Sequence, residues 1–511
     1  MIKFLLPILS ALFLILSFPV INFEIFVWFA FLPLFFVIKD KKPIHAFLQS
    51  YLCGLVFFAG TIYWLINVTF IGFLILILYL ALYFGIFGFI FSFTRSRLNP
   101  LMSLFFIPSV WVLLEYVRSH LFTGFGWALL GYSQYLNLAI IQIASITGVW
   151  GVSFLIMLIN VFIYKTISYR LRVRLEKQIL PFSTTFYLLP FLLLFLSIGY
   201  GFYKLQGIGQ EGAPFRISVV QANIPQAIKW EEGAKDKILG EYLHLSGISA
   251  LDKPDLIIWP EAALPEILEQ QIYFKDNLKE FLYNTKIPLL LGAVILEGDN
   301  YYNSAILVSR KGRLIQRYDK IHLVPFGEYI PFKNIFPFLQ TIVPIGDFSA
   351  GREYTVFLHE KENPRPDIQF QFTKQPIYSS VLICFEDIFP EISRCFIKKG
   401  ADFLINITND AWFGDTSSPY QHLQASVFRA IENSVYLVRA ANTGISAFIT
   451  PRGEIYPFFD SDSGRQTFVS GYMTREIYPS LRQNSLYTQW GDWLVLVCLI
   501  ISIYGVTRFK K

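Results

Sequence analysis

The chain of 511 residues is too apolar for an ordinary soluble protein, because 54% of its residues are hydrophobic and only 16% are charged. Its net charge of +6 comes from short basic clusters between apolar segments, and this pattern leaves no nucleic-acid footprint. Four scattered cysteines exclude a disulfide framework, and no CxxC or Cys/His cluster indicates a metal site. The composition predicts a membrane protein.

Apolar runs long enough to cross a bilayer occur mainly at the start of the chain. We predict eight spans, near residues 3–20, 23–38, 46–67, 69–93, 100–118, 137–164, 185–203 and 491–507. The first run lacks an A-x-A-like cleavage site and a second run follows at once, so we predict an uncleaved span and not a signal peptide.

The basic residues predict the orientation of these spans, because Lys and Arg stay on the cytoplasmic side. With the N-terminus inside, that side receives the basic clusters at 39–42, 95–97, 165–177 and 508–511. The opposite connections near 20–22 and 67–69 carry no Lys or Arg. Both termini are therefore predicted inside, and everything between the last two spans is predicted outside.

The region from 205 to 488 has a different pattern of apolar and polar residues. Buried-strand patterns such as FRISVVQA and SSVLICFE alternate with helical patterns such as KDKILGEYLHLSGISAL. This alternation predicts a layered α/β domain around a largely buried sheet. The predicted organisation is a helical transmembrane domain at 1–204, the α/β domain at 205–488, and a C-terminal transmembrane helix with a tail at 489–511.

Three stretches of the α/β region place a reactive side chain near the end of an apolar strand. PDLIIWPE ends at Glu261, RYDKIHLVPFGEYIP contains Lys320 and Glu328, and VLICFED reaches Cys384. Functional groups in open α/β sheets gather at the carboxyl ends of strands, so we expect these side chains to meet.

The residue types fit nucleophilic catalysis. A carboxylate at Glu261 serves as the base for the thiol of Cys384, and a cation at Lys320 lowers the thiol pKa and stabilises an oxyanion. A helix starting after Cys384 adds backbone N–H donors. The plainer alternatives are a buried hydrophobe at Cys384, a helix cap at Glu261 and a solvated charge at Lys320.

The order of four motifs, WPE, YDKIHLVPFGEYIP, CFED and NITNDAWFG, resembles the carbon-nitrogen hydrolase (nitrilase) superfamily. With spans before the domain and one after it, nearly the whole chain is similar to the apolipoprotein N-acyltransferase family. The resemblance implies an αββα sandwich with a Glu-Lys-Cys triad, which falls on Glu261, Lys320 and Cys384. It also places the family's second essential glutamate at Glu328.

Other positions match the family with less specificity. Trp230, Phe385 and Glu386 fall on positions that the resemblance associates with activity. The family often has Tyr after the nucleophile, so any role of that hydroxyl is absent at Phe385.

Three segments are candidates for contact with lipid. They are the apolar insert at 332–348, the loop DAWFGDTSSPY with Trp412, and the loop after span five, where Arg118 and His120 are candidates for binding a phosphate head group. The alternatives are that the insert and the aromatic loop pack on the domain core, and that Arg118 and His120 are ordinary interfacial anchors.

The implied reaction is a two-step acyl transfer in the bacterial inner membrane, with the catalytic domain in the periplasm. The implied donor is a phospholipid, phosphatidylethanolamine by resemblance, and the implied acceptor is the N-terminal S-diacylglyceryl cysteine of an apolipoprotein. No cofactor is implied, no P-loop or dinucleotide fingerprint is present, and a monomer is expected.

Two other functions remain open at this point. A membrane-tethered amidase or nitrilase would keep the triad and use water as the acceptor. A transporter with an outward sensor domain is the third hypothesis, although the spans lack the paired charges that line ion pathways.

Overall fold

The computed structural model describes residues 2–95, 97–175, 183–206, 214–229, 231–269, 276–330, 348–359, 376–479 and 484–508. Its contacts divide the chain into two compact units. The helical unit comprises Met1–Gly207, Thr416–Gln424 and Ser485–Lys511. The α/β unit comprises Ile208–Asp415 and Ala425–Asn484.

The described helices follow one another in chain order. They are α1 Ile2–Leu16, α2 Leu32–Ile38, α3 Pro43–Thr61, α4 Phe70–Thr94, α5 Pro100–His120, α6 Leu138–Ile141, α7 Ala144–Thr147, α8 Val149–Leu175, α9 Thr184–Gln206, α10 Lys235–Ser249, α11 Asp276–Thr285, α12 Pro390–Lys398, α13 Ser418–Asn433, α14 Leu486–Trp490 and α15 Trp493–Thr507.

Among the described residues, five helices are long and apolar enough to cross a membrane: α3, α4, α5, α8 over Val149–Leu171, and α9. Four further apolar segments are shorter, at Phe4–Leu16, Glu24–Ile38, Leu138–Thr147 and Trp493–Thr507. The predicted count of eight spans is therefore not confirmed.

The segments at Phe4–Leu16, Glu24–Ile38 and Trp493–Thr507, each predicted as a span, are too short to be counted. The span predicted at 137–164 is present as α8, but a break in the helix divides the start of that run. Gly148 has φ 67° and separates α7 from α8. A Cβ at this glycine would lie 2.6 Å from the Tyr487 ring. The close packing and the positive φ both require glycine, and the run becomes two short helices followed by a long one.

Polar side chains of the helical unit satisfy backbone groups where helices end. Asn160 Oδ1 accepts from Phe31 N at 3.0 Å, and its Nδ2 donates to Val27 O at 2.8 Å. Ser10 Oγ accepts from Leu34 N at 2.9 Å. Backbone groups without a partner are costly in apolar surroundings, so these contacts stabilise the short helix α2 and the segment that precedes it.

Arg118 performs a similar task at the end of α5. The side chain is buried and donates to Trp127 O at 2.7 Å and to Ala128 O at 3.4 Å. Nearby, Glu115 Oε1 accepts from Leu130 N at 2.7 Å. Arg118 holds the loop after α5 and does not present its charge to a lipid head group.

A later segment of the chain completes the helical unit. Gln421 Nε2, in the first turns of α13, donates to Thr61 O at 2.7 Å, and Trp64 Nε1 donates to Gln421 Oε1 at 3.2 Å. At the C-terminal end, Trp150 Nε1 donates to Asp492 Oδ1 at 2.7 Å. Buried hydrogen bonds of this kind hold segments that are far apart in sequence.

The α/β unit contains thirteen described strands. They are β1 Phe215–Gln221, β2 Leu256–Ile258, β3 Ile267–Glu269, β4 Leu289–Glu297, β5 Asn300–Val308, β6 Leu314–Asp319, β7 Phe357–His359, β8 Ile377–Ile383, β9 Phe403–Thr408, β10 Leu437–Ala441, β11 Ala447–Ile449, β12 Ile455–Pro457 and β13 Gly471–Ile477.

These strands form two sheets. The first has the order β13-β1-β2-β4-β5-β6 with β3 beside β4, and the second has the order β12-β11-β10-β9-β8-β7. Helices α10 and α11 share an apolar core with the first sheet, and β1 contacts β10 while β5 contacts β8. The predicted layered α/β domain is present. Strands β8, β9 and β10 run parallel, so their carboxyl ends lie at one edge.

Candidate active site

The side chains selected from the sequence follow strands of both sheets. Glu261 comes three residues after β2, Lys320 directly follows β6, and Cys384 directly follows β8. Strands β2 and β8 are largely buried, whereas β6 begins with exposed residues and is buried only at Tyr318, near its end. The strand ends therefore bring polar groups to the border of an apolar core.

Lys320 binds two glutamates. Its Nζ lies 2.9 Å from Glu328 Oε1 and 3.7 Å from Glu261 Oε1. Asn303 Nδ2 donates to the same two oxygens, at 2.8 Å and 2.7 Å respectively. All four residues are buried, so one cation is shared by two carboxylates that an amide also bridges.

This sharing fixes the charge of Lys320. Burial lowers the pKa of Lys320, but Glu328 and then Glu261 raise it more strongly, and the pKa lies well above its ordinary value. Lys320 is therefore a permanent cation at neutral pH. It is available to stabilise negative charge on a reacting group.

Backbone contacts hold Glu261. Asn409 N donates to Glu261 Oε2 at 2.9 Å, and Lys229 Nζ donates to Glu261 O at 3.3 Å. The following residue, Ala262, has φ 47°, which is a strained conformation for a side chain. A Cβ added to Gly292 on β4 would lie 2.6 Å from Glu261 Cα, so this glycine is required by close packing.

Lys229 is the second buried cation near Glu261. Burial lowers the pKa of Lys229 to about 8, although the charge of Glu261 raises it. The charge of this side chain therefore changes just above neutral pH, whereas Lys320 stays charged.

Cys384 occupies a sharp turn. Its φ is 55°, and the residues Cys384–Ile388 form a 3-10 turn before α12 begins at Pro390. The prediction that a helix starts directly after the cysteine is therefore only partly right. Glu386 explains the tight turn, because its Oε2 accepts from Ile383 N at 2.8 Å across it.

Glu386 also connects this turn to the Lys320 loop. Its carboxylate is fully buried and accepts from Tyr318 OH at 2.9 Å, from Ile321 N at 2.8 Å and from His322 N at 3.1 Å. Burial raises the pKa of Glu386 to about 7, although the hydrogen bonds that the carboxylate accepts lower it. The hydrogen bonds hold the strand ends that carry Lys320 and Cys384 in one arrangement.

The thiol of Cys384 interacts electrostatically with this cluster. Burial raises its pKa well above the ordinary value, Glu261 and Asp410 raise it further, and Lys320 and a hydrogen bond with Thr408 lower it. The sequence predicts that Lys320 lowers the pKa of the thiol. Lys320 does lower it, but burial, Glu261 and Asp410 together raise it more, so the net shift is upward. The thiol is protonated at rest, so a base must remove its proton when it attacks.

The remaining predicted residues lie around this cluster or outside the described chain. The half-buried Phe385 ring lies 5.2 Å from Lys320 Nζ and 5.5 Å from the ring of His322. Trp412 lies on the 3-10 turn Asp410–Phe413 and is 56% exposed. Trp230 and residues 332–347 of the apolar insert lie outside the described residues.

Sequence reasoning missed several polar partners. Asn303, Asn406 and Arg439 are buried in strands, and Asn409 follows one. Their only sequence signal is a polar residue inside an otherwise apolar strand pattern, as in DFLINITND. Within the described ranges, no group of three or more His, Cys, Asp or Glu side chains could hold a metal ion.

Comparisons with known proteins agree with this layout. The family model described as the apolipoprotein N-acyltransferase N-terminal domain matches residues 10–162, and the carbon-nitrogen hydrolase model matches residues 216–470. A Geobacter metallireducens protein named apolipoprotein N-acyltransferase is 40% identical, over 99% of this chain and 95% of that one. A Chlorobaculum tepidum protein of the same name is 28% identical, over 98% and 95%.

Among solved structures, Nit3 of Saccharomyces cerevisiae, a member of the nitrilase superfamily, matches 54% of this chain and 93% of that chain. The identity is 18% and the TM-score is 0.37. The similarity to the Geobacter metallireducens protein extends over both units of the chain, and the two family models match its two parts in order. The chain belongs to the apolipoprotein N-acyltransferase family.

Proposed function

We propose that this protein N-acylates the S-diacylglyceryl cysteine at the N-terminus of apolipoproteins, with a membrane phospholipid, phosphatidylethanolamine, as acyl donor. The observation that carries the proposal is the buried Glu261–Lys320–Glu328 cluster beside a strained cysteine, in a chain with five span-length apolar helices. Family membership supports the same function.

The first half-reaction forms an acyl-enzyme. Glu261 takes the proton of the Cys384 thiol as sulfur attacks the ester carbonyl of the phospholipid. Lys320 stabilises the oxyanion, and the tetrahedral intermediate collapses with release of the glycerol oxygen. Glu261 returns the proton to that oxygen, which leaves a thioester on Cys384 and a lysophospholipid.

The second half-reaction uses the same groups in reverse order. The neutral α-amino group of the diacylglyceryl cysteine attacks the thioester, and Glu261 takes the proton from the amine nitrogen. The C–S bond breaks, and the proton returns to sulfur. The products are an amide and the free thiol, so the cycle needs no cofactor and no nucleotide.

Supporting residues divide into two groups. Glu328 holds Lys320 by the hydrogen bond at 2.9 Å, and Glu386 fixes the turn of the nucleophile. Phe385 and the exposed Trp412 supply apolar surface for the acyl chain, and Trp230 is assigned to the substrate site by family resemblance alone. These five assignments extend the site beyond the Glu-Lys-Cys triad.

The proposed topology retains eight spans: the five long apolar helices and the three short segments at Phe4–Leu16, Glu24–Ile38 and Trp493–Thr507, with Leu138–Thr147 belonging to the same span as Val149–Leu171. Both termini face the cytoplasm, and the catalytic domain at 205–488 faces the periplasm. The helical domain at 1–204 and the C-terminal helix at 489–511 anchor it in the inner membrane. The protein acts as a monomer, and both lipid substrates reach it from the same leaflet.

Mass spectrometry of the purified protein after incubation with phosphatidylethanolamine vesicles tests the proposal. A long-chain acyl adduct on the peptide containing Cys384 is expected, and an added diacylglyceryl peptide is expected to remove it. Cys395→Ser is the matched control, because Cys395 is a half-buried cysteine of the same unit. It should keep the adduct, whereas Cys384→Ala should lose it. No adduct, together with release of ammonia from small amides, would favour the amidase hypothesis.

A further inference from the structure

An arginine lies in the core of the α/β unit behind the nucleophile. Arg439 is fully buried on β10, where it pairs in register with Asn406 on β9, and Asn406 pairs with Leu382 on β8. A guanidinium inside a buried parallel sheet is very costly unless its charge and donors are matched. Its partners therefore indicate why the position carries an arginine.

Two carboxylates and an amide surround this guanidinium. Nη1 donates to Asn406 Oδ1 and lies 3.3 Å from Asp387 Oδ2, and Nη2 donates to Asp410 Oδ2 at 3.1 Å. Asp387 belongs to the 3-10 turn of Cys384, and Asp410 follows β9. One side chain on β10 thus connects the segments that follow β8 and β9.

The first connection to the nucleophile runs through the amide. Asn406 Nδ2 donates to Cys384 O at 2.9 Å and to Leu382 O at 3.1 Å. Because Arg439 occupies Oδ1, the amide of Asn406 keeps its nitrogen toward these carbonyls. A cysteine at φ 55° persists only when its surroundings fix it, and this hydrogen bond fixes its carbonyl.

The second connection runs through charge. Thr408 Oγ1 donates to Asp410 Oδ1 at 3.3 Å, and Thr408 is also a hydrogen-bond partner of the Cys384 side chain. Asp410 also raises the pKa of the thiol, by less than burial and Glu261 do. The ion pair with Arg439 offsets the negative charge of Asp410.

We propose that Arg439 is a positioning residue for the nucleophile, which holds the backbone of Cys384 through Asn406 and offsets the charge of Asp410, the hydrogen-bond partner of Thr408. The inference rests on the proposed function only in taking Cys384 as the nucleophile. Arg439 touches no reacting atom in this scheme. Its effect is on the conformation and the ionisation of the sulfur.

The test is the rate of Cys384 alkylation by iodoacetamide as a function of pH, measured on the full-length protein by mass spectrometry of the peptide containing Cys384. Arg439→Lys keeps the charge but replaces the fork of donors by one ammonium, which does not satisfy Asn406 and two carboxylates together. We expect alkylation to slow about tenfold and its pH midpoint to move upward, because Asp410 is less well offset.

Arg429→Lys is the matched control. Arg429 is also fully buried, and its Nη2 pairs at 2.9 Å with Glu432, one turn further along α13. The same substitution there should lower thermal stability and leave the alkylation rate and pH midpoint of the folded protein unchanged. If Arg439→Lys also lowers only the stability, Arg439 is merely structural and the proposal is wrong.

A double-mutant cycle separates the two connections. Asn406→Ala alone should slow alkylation. The double variant Asn406→Ala/Arg439→Lys should slow it by a smaller factor than the product of the two single factors, because part of the Arg439 effect passes through Asn406. Independent, multiplicative effects would exclude that connection. Alkylation needs no lipid, so a failure of acyl transfer leaves this test intact.

Discussion

Buried polar side chains at the helix ends of the helical unit pair differently from the buried cations around the nucleophile of the α/β unit. In the helical unit, Asn160, Ser10 and Arg118 bond to backbone groups at helix ends and in loops. In the α/β unit, buried polar side chains such as Lys320 and Arg439 bond mainly to other side chains, near one cysteine. The first pattern replaces missing backbone partners, and the second sets the charge and position of reactive groups.

The difference predicts which property each substitution changes. A polar residue of the helical unit should affect stability, and one of the cluster around Cys384 should affect chemistry more than stability. Glu261→Gln and Asn160→Leu test the two sides of this division directly.

The largest effect is expected for Glu261→Gln. The substitution keeps the size of the side chain and removes the base, so acyl transfer should fall about 10²–10⁴-fold. The free energy of unfolding should fall by about 1–3 kcal/mol, because the amide nitrogen cannot accept one of the two hydrogen bonds that the carboxylate accepts. Acyl-transfer kinetics and thermal unfolding in detergent measure the two effects. Retention of most of the activity would show that another group takes the thiol proton.

The next effect is expected for Gly292→Ala. The new Cβ would meet Ala262 N at 2.5 Å and Glu261 Cα at 2.6 Å, so the backbone that carries the base must shift. Displacement of a catalytic group by about 1 Å costs about 10²-fold in rate. Gly240→Ala is the control, because its Cβ would meet no atom within 4 Å. Equal activity of the two variants would contradict the argument.

Lys229→Met tests the pH dependence of stability. The pKa of Lys229 is about 8 in the folded protein, and about 10.4 is ordinary for an unfolded chain. Folding favours the neutral form of Lys229. Its contribution to the free energy of unfolding is therefore fully present above about pH 10.4 and is lost as the pH falls through about 8. It amounts to about 3 kcal/mol.

Unfolding of wild type and Lys229→Met across that window measures the contribution. The stability of the variant relative to wild type should be greatest below about pH 8 and should decrease toward about pH 10. A difference that is independent of pH would mean that Lys229 does not titrate in this range.

The smallest effect is expected for Asn160→Leu. The substitution removes the hydrogen bonds with Phe31 N and Val27 O, and each costs about 1 kcal/mol in a membrane, so the midpoint of detergent-induced unfolding should fall. Alkylation of Cys384 in the folded protein should keep its wild-type rate. A slower alkylation would show that this polar contact also influences the nucleophile, against the division drawn above.

Local patterns in the sequence predicted much of the α/β unit. Apolar strand runs ending at Glu261, Lys320 and Cys384 predicted side chains at strand ends, and the structure brings Glu261, Lys320 and Glu328 together. The sequence predicts these features because the burial of a strand and the position of its end depend on residues that are close in sequence.

Other features depend on contacts that no local pattern contains. The break at Gly148 is required by the ring of Tyr487, more than 300 positions later. The net pKa of the Cys384 thiol depends on burial and on Asp410 as well as on Lys320. Likewise, Arg439 in a strand pattern gives no indication that Asn406 and two carboxylates meet it.

The protonated resting state of the thiol has a consequence for durability. Peroxides attack thiolates much faster than thiols, so a sulfur that ionises only as it attacks an ester is a poor target for sulfenic acid formation. In the oxidising compartment that we propose for this unit, we therefore expect such a nucleophile to oxidise slowly between turnovers.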